Sequence, residues 1–155
     1  MMDFLRIACA VPRVSLGDPK ANAREMAGQM AQAEGQNADL LVFTELSLTG
    51  YSCQDLFFQD ALYEAALEGL GMLLDASKNA PALTAVVGLP LRLGSRMFNC
   101  AAVVSGGALR GIVPKTYIPN YNEFYEKRWF SSGAELDRDA VTLEIPGREP
   151  VTVGI

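Results

Sequence analysis

The stretch DLLVFTELSLTGY, residues 39–51, decides the fold. Its first part, Asp39 to Phe43, is short, branched and hydrophobic, which is the composition of a strand buried on both faces of a sheet. Its second part begins on a carboxylate and ends on Gly50 and Tyr51. Glu45 therefore follows the end of a buried strand, where a carboxylate is partly desolvated and can serve as a general base; a solvated strand end has the same pattern. Gly50 permits a tight turn that carries the Tyr51 phenol to the same rim, where it either meets ligand or packs.

Upstream, Phe4 to Val11 is apolar apart from Arg6 and reads as a second strand. A helix separates the two. Asp18 can cap it, Pro19 suits its first position, and Ala23, Met26, Ala27, Met30 and Ala31 form its apolar stripe, with Gly35 as a left-handed exit. The order strand, helix, strand predicts a parallel βαβ unit. Downstream, Leu62, Ala65, Ala66, Leu70, Leu73 and Leu74 predict a second helix from about Gln59 to Asp75. Thr84 to Leu89, Met97 to Val104 and Ala108 to Val113 read as strands, the last two joined by a hairpin-like turn at Ser105, Gly106 and Gly107. A hairpin added to a βαβ unit makes the sheet mixed. Val141 to Ile145 and Val151 to Ile155 supply two further strand-like runs. The chain then ends within a strand, the pattern expected of a partial domain spanning residues 1–155.

Composition narrows the chemistry. The 155 residues suit one domain, and 50% hydrophobic against 20% charged residues describes a chain with a core to bury. Thirteen basic and eighteen acidic residues give a net charge of -5, which argues against nucleic acid and an anionic membrane as partners. With no histidine, imidazole general bases, imidazole zinc ligands and Ser/His or Cys/His pairs cannot be built within the chain. Carboxylate, lysine and thiol remain. Cys9, Cys53 and Cys100 are odd in number and lack CxxC spacing, so they read as reduced thiols of a cytoplasmic protein, without a metal site. Cys100 lies in an apolar run and reads as core; Cys53 reads as the more exposed candidate. Neither a signal peptide nor a membrane span is evident, and no glycine-rich phosphate cradle appears.

The stretch KTYIPNYNEFYEKRWF, residues 115–130, is polar, aromatic and charged directly after a buried strand, where α/β proteins tend to hold ligands. Lys115 ends the run GIVPK, and Pro114 restrains the backbone before it, so the ammonium is delivered at a defined place. There it can stabilise developing negative charge or orient a carboxylate; a solvated lysine is the plainer reading. Tyr121, Glu123 and Tyr125 alternate along the loop, while Glu123, Glu126, Lys127 and Arg128 also fit a charged helix surface.

Taken together, FTELSLTGYSCQDLFF, NCAAVVSGG and GIVPKTYIPNYNEFYEKRWF resemble the glutamine-hydrolysing amidase domain that heads glutamine-dependent NAD synthetases, a branch of the nitrilase or carbon-nitrogen hydrolase superfamily. The resemblance covers almost the whole chain. It implies an αββα sandwich with mixed sheets, incomplete at the C-terminus, and a Glu, Lys and Cys triad. Glu45 matches the general base, Lys115 the lysine, and Glu123 the second glutamate that supports it; Tyr51 and Tyr121 match tyrosines near the glutamine pocket. The nucleophilic cysteine of relatives follows a strand like VTVGI, so the resemblance implies an inactive fragment. It also implies a C-terminal synthetase domain using ATP and Mg, no cofactor in the amidase domain, and assembly as a homo-oligomer. A standalone carbon-nitrogen hydrolase and a non-catalytic binding or oligomerisation module on the same fold are the alternatives.

Overall fold

Asp18 opens the first crossover. Its carboxylate accepts a hydrogen bond from the Ala21 backbone N–H at 3.0 Å, and Pro19 occupies the first helical position, where its missing N–H is not needed. The computed structural model describes residues 4–155. From this cap runs α1 (Pro19–Gly35), set between β1 (Ile7–Ala10) and β2 (Leu40–Phe43). The expected left-handed exit falls two residues later than Gly35, on Asn37 at φ 54°, because asparagine also tolerates that region. The second crossover passes through a 3-10 segment, Tyr51–Phe58, and α2 (Asp60–Ser77) into β3 (Thr84–Leu93). β4 (Arg96–Ser105) and β5 (Ala108–Pro114) follow, and then β6 (Ala140–Leu143) and β7 (Val151–Gly154).

The five strands β1 to β5 form one sheet in chain order. β1, β2 and β3 are parallel, whereas β4 and β5 run antiparallel, so the sheet is mixed as the sequence implies. β3 and β4 are longer than their apolar runs suggest, because they pair with each other from Ala85–Val104 out to Leu93–Arg96. β6 and β7 make a separate antiparallel ribbon.

The two faces of the main sheet differ. Leu41, Phe43, Ala85, Val87, Leu89, Ala102 and Ile112 point one way and join Met26, Met30, Leu70, Leu73 and Leu74 of the two helices in one buried cluster. Val141, Leu143, Ile145 and Val153 extend this cluster from the ribbon. The opposite face, with Leu40, Val42, Val86, Ala101 and Val103, is only half-buried, and Ile7 and Val113 on it are 56% and 59% exposed. This is an α/β architecture consistent with the nitrilase αββα sandwich. Among the described residues no helix is long and apolar enough to cross a membrane.

Candidate active site

The site lies where β2 and β5 end. After Phe43 the chain turns sharply through residues 44–50, with Leu46 buried at φ 49° and Gly50 at φ 89°. This turn is pressed onto β3: Leu48 N–H donates to the Gly88 carbonyl at 3.0 Å, and Gly88 N–H donates to Ser47 Oγ at 3.3 Å. A Cβ at Gly88 would collide with the backbone of Thr44, Glu45 and Leu46, only 2.7 Å from the Thr44 carbonyl oxygen. Glycine is therefore what lets the Glu45 turn sit on the sheet. On the other side, Lys115 N–H donates to the Asn99 carbonyl at 2.8 Å, which holds the lysine just beyond the β4–β5 ladder.

These two placements bring Lys115 Nζ to 2.7 Å from Glu45 Oε1. Asn99 Nδ2 donates to the same oxygen at 2.5 Å. No donor among the described residues reaches Glu45 Oε2, and the side chain stays 44% exposed. Behind Lys115 lies Glu126, whose carboxylate accepts from Nζ at 3.1 and 3.0 Å and from the Tyr51 hydroxyl at 2.7 Å. Glu126 is buried, so two donors and one full positive charge offset the cost of taking its charge out of water.

Partial burial pushes the Lys115 ammonium pKa down, but its hydrogen bonds and charge pairing with Glu45 and Glu126 outweigh that, and the net shift is upward. Lys115 therefore remains a cation across the neutral range. The Tyr51 phenol is raised by burial and by its bond to Glu126, so it stays protonated and donates. The arrangement is a fixed cation between two carboxylates, with one carboxylate oxygen open to solvent.

Of the expected residues, Glu45, Lys115 and Tyr51 meet at this point. The contact to Lys115 expected of Glu123 is made instead by Glu126. The loop does not alternate like a strand: Asn122 takes φ 51°, Phe124 N–H closes a turn on the Tyr121 carbonyl, and Glu126 begins a short 3-10 turn, Glu126–Arg128, that aims it inward. Glu123 is exposed and borders a small cavity with Ser52 and Trp129. Tyr121 is also exposed and, with Lys115, Tyr117 and Lys127, lines an open cavity of about 740 Å³. Glu45 borders two further openings, one toward Tyr51 and one on the half-covered sheet face.

The sequence marks neither Asn99 nor Glu126 as a site residue. The signal for Asn99 was a lone amide inside the apolar run MFNCAAVV, since a buried amide requires a partner. Glu126 had no comparable signal beside Glu123. Cys53, expected to be the more exposed of two thiols, is buried, and its Sγ donates to the Thr49 carbonyl. Burial raises the Cys53 thiol pKa and pushes that of Cys100 to about 12, so neither is an activated thiolate. Cys9, on the edge strand β1, is exposed and lines neither opening that Glu45 borders.

A mixed α/β sheet here delivers a glutamate after β2 and a lysine after β5 to the same rim, with no histidine in the chain. Residues 6–148 match the carbon-nitrogen hydrolase family, and the chain belongs to it. It is similar to the glutamine-dependent NAD(+) synthetase of Mycobacterium tuberculosis H37Rv, with 38% identity over 147 residues, 94% of this chain and 21% of that protein. Among solved structures it resembles a glutamine-dependent NAD(+) synthetase from Cytophaga hutchinsonii, with a TM-score of 0.80 and 27% identity, covering 97% of this chain and 25% of that one. An amidase of the nitrilase superfamily from Nesterenkonia AN1 shares the fold, with a TM-score of 0.70 and 22% identity over 96% of this chain and 54% of that one. The chain thus spans about a fifth of the length of the synthetase from M. tuberculosis.

Proposed function

We propose that this chain is the N-terminal part of the glutamine-hydrolysing domain of a glutamine-dependent NAD synthetase. The observation that carries the reading is the Glu45 carboxylate, held on Oε1 by Lys115 and Asn99 and free on Oε2. The family match and the similarity to synthetases along nearly the whole chain support it.

In this mechanism a thiol supplied beyond Ile155, shortly after β7, gives its proton to Glu45 Oε2 and attacks the side-chain amide carbon of glutamine. Lys115 Nζ stabilises the oxyanion that forms, and Glu126 with Tyr51 keeps that ammonium aimed. The C–N bond breaks as Glu45 returns the proton to the leaving amine, which departs as ammonia and leaves a thioester. Water then loses a proton to Glu45 and attacks the thioester, releasing glutamate and restoring the thiol. In an αββα sandwich a second sheet packs on the half-covered face of the first, which would enclose this chemistry. A synthetase domain using ATP and Mg, outside these residues, would consume the ammonia in amidating nicotinic acid adenine dinucleotide. We assign assembly as a homo-oligomer to the same parent.

The test is made in the proposed parent enzyme. Glu45→Gln and Lys115→Met should each lower glutamine-driven NAD formation by about 10²-fold or more while leaving ammonia-driven formation intact. Loss of both activities together would remove these two residues from the amidase step. The isolated 155-residue chain should hydrolyse no glutamine, and a rate comparable with an intact homologue would overturn the placement of the nucleophile.

A further inference from the structure

Two cross-links join the same two short segments. Inside, Tyr51 Oη donates to Glu126 Oε1 at 2.7 Å. Outside, four residues further along one segment and two along the other, Arg128 grips Asp55 with two hydrogen bonds, Nε to Oδ1 at 2.7 Å and Nη2 to Oδ2 at 2.8 Å. Trp129 Nε1 adds a third, to Asp55 Oδ1 at 3.0 Å. The inner link is half-buried, whereas Asp55 and Arg128 are 60% and 55% exposed.

An exposed ion pair ordinarily adds little to stability. This one has a different geometry. A planar guanidinium engaging both carboxylate oxygens fixes distance and angle together, and an indole N–H on the same carboxylate removes the remaining freedom to pivot. Between Tyr51 and Asp55 lies Gln54 at φ 50°, ψ −130°, a break in the 3-10 segment that gives Tyr51 no continuous helix to hold it. Behind the pair, Trp129 sits 5.9 Å from the Phe57 ring and 5.1 Å from Tyr125, so the indole is itself wedged between the two segments.

We propose that Asp55, gripped by Arg128 and Trp129, is a positioning residue that sets the separation of the Tyr51 and Glu126 segments and so holds Glu126 against Lys115. It acts through Glu126 and touches no reacting group. Its purpose rests on the amidase reading given above; its geometry does not. The Arg128 and Trp129 hydrogen bonds hold the Asp55 carboxyl well below the usual carboxylate range, so the clip stays formed at any pH where the amidase would work.

Trp129 is the one tryptophan in the chain, so its fluorescence reports the clip independently of activity. The second readout is the rate at which an amine-reactive reagent labels Lys115, followed by peptide mass spectrometry, with Lys20 and Lys78, which pair with Glu68 and Asp75 outside the clip, as controls. Asp55→Asn should shift Trp129 emission and speed Lys115 labelling toward the rate seen in Glu126→Gln, about tenfold for each pKa unit the lysine gives back. Lys20 and Lys78 should be unchanged. In a Glu126→Gln background, Asp55→Asn should add nothing further, and Asp55→Glu, which keeps the paired oxygens, should stay near the parent rate. Shifted emission with unchanged Lys115 labelling overturns the proposal. A matching rise at Lys20 and Lys78 also overturns it, since general loosening then explains the effect. If the labelling pattern holds but the parent enzyme hydrolyses no glutamine, the amidase reading fails and the clip stands.

Discussion

Among the described residues two hydrophobic clusters do different jobs. The larger, under the main sheet, joins α1 and α2 to alternate residues of the strands and determines where each strand runs and stops. The smaller, formed by Leu46, Cys53, Phe57, Leu62 and Phe130, lies under the loops that leave the strand ends. Phe57 meets Phe130 edge to face at 4.9 Å, so residues more than seventy positions apart in sequence are packed into one support. The first cluster brings Glu45 and Lys115 to the same rim. The second brings Tyr51 and Glu126 to Lys115. The meeting of Glu45 with Lys115 and the support of Lys115 by Tyr51 and Glu126 therefore rest on separate sets of apolar contacts.

The largest effect is expected in the larger cluster. Leu73→Ala, at a fully buried position on α2, should cost about 4 kcal/mol in urea unfolding, because the cavity adds to the lost transfer energy. Under conditions where that variant stays folded, the reactivity of Lys115 should be unchanged. Phe57→Ala should cost less, about 3 kcal/mol, yet speed Lys115 labelling, since the support for the Glu126 segment is lost. If Leu73→Ala disturbs Lys115 as much as Phe57→Ala does, the division between the two clusters is wrong.

Gly88→Ala tests the seam between them. The added methyl meets backbone, which cannot swing aside, so a cost of about 2 kcal/mol and displacement of the Glu45 turn are expected. In the parent enzyme this variant should lower kcat for glutamine more than it raises KM, because the base is misplaced and the pocket is not. An equal kcat would show that the turn relaxes without moving Glu45.

The smallest effect is expected at Lys115 itself. The Lys115 pKa is raised on folding, so its contribution to stability is fully present below the unfolded lysine value of about 10.4 and disappears as pH rises through the folded value. Urea midpoints between about pH 9 and pH 12 should fall more steeply for the unmodified chain than for Lys115→Met. Parallel curves would mean that the pairing with Glu45 and Glu126 stabilises nothing.

Much of this was legible from residues alone, for identifiable reasons. The DLLVF run, the Asp18–Pro19 start and the α2 periodicity are local signals, set by burial and capping within a few residues of one another. Glu45 and Lys115 were legible as candidates because each lies just past the end of a hydrophobic strand run, and strand ends in such sheets are where functional groups gather; their roles came with the resemblance of their motifs to a known family. Glu126 was not, because Glu123 and Glu126 look alike in sequence and only the turn at Asn122 decides which faces inward. The pairing of Asp55 with Arg128 was equally hidden, since no local pattern links a residue of the first loop to one of the second.

The order of strands and helices and the absence of imidazole chemistry within the chain depend on composition and on periodicity within single elements, and both could be read from the residues. The roles proposed for Glu45 and Lys115 came from the resemblance of their motifs to a known family. Which glutamate meets the lysine, which amide holds Glu45, why Gly88 has no side chain and how two exposed loops are clipped together depend on approaches between distant segments. Such contacts are selected by the packing of the whole core and leave no repeating trace along the chain.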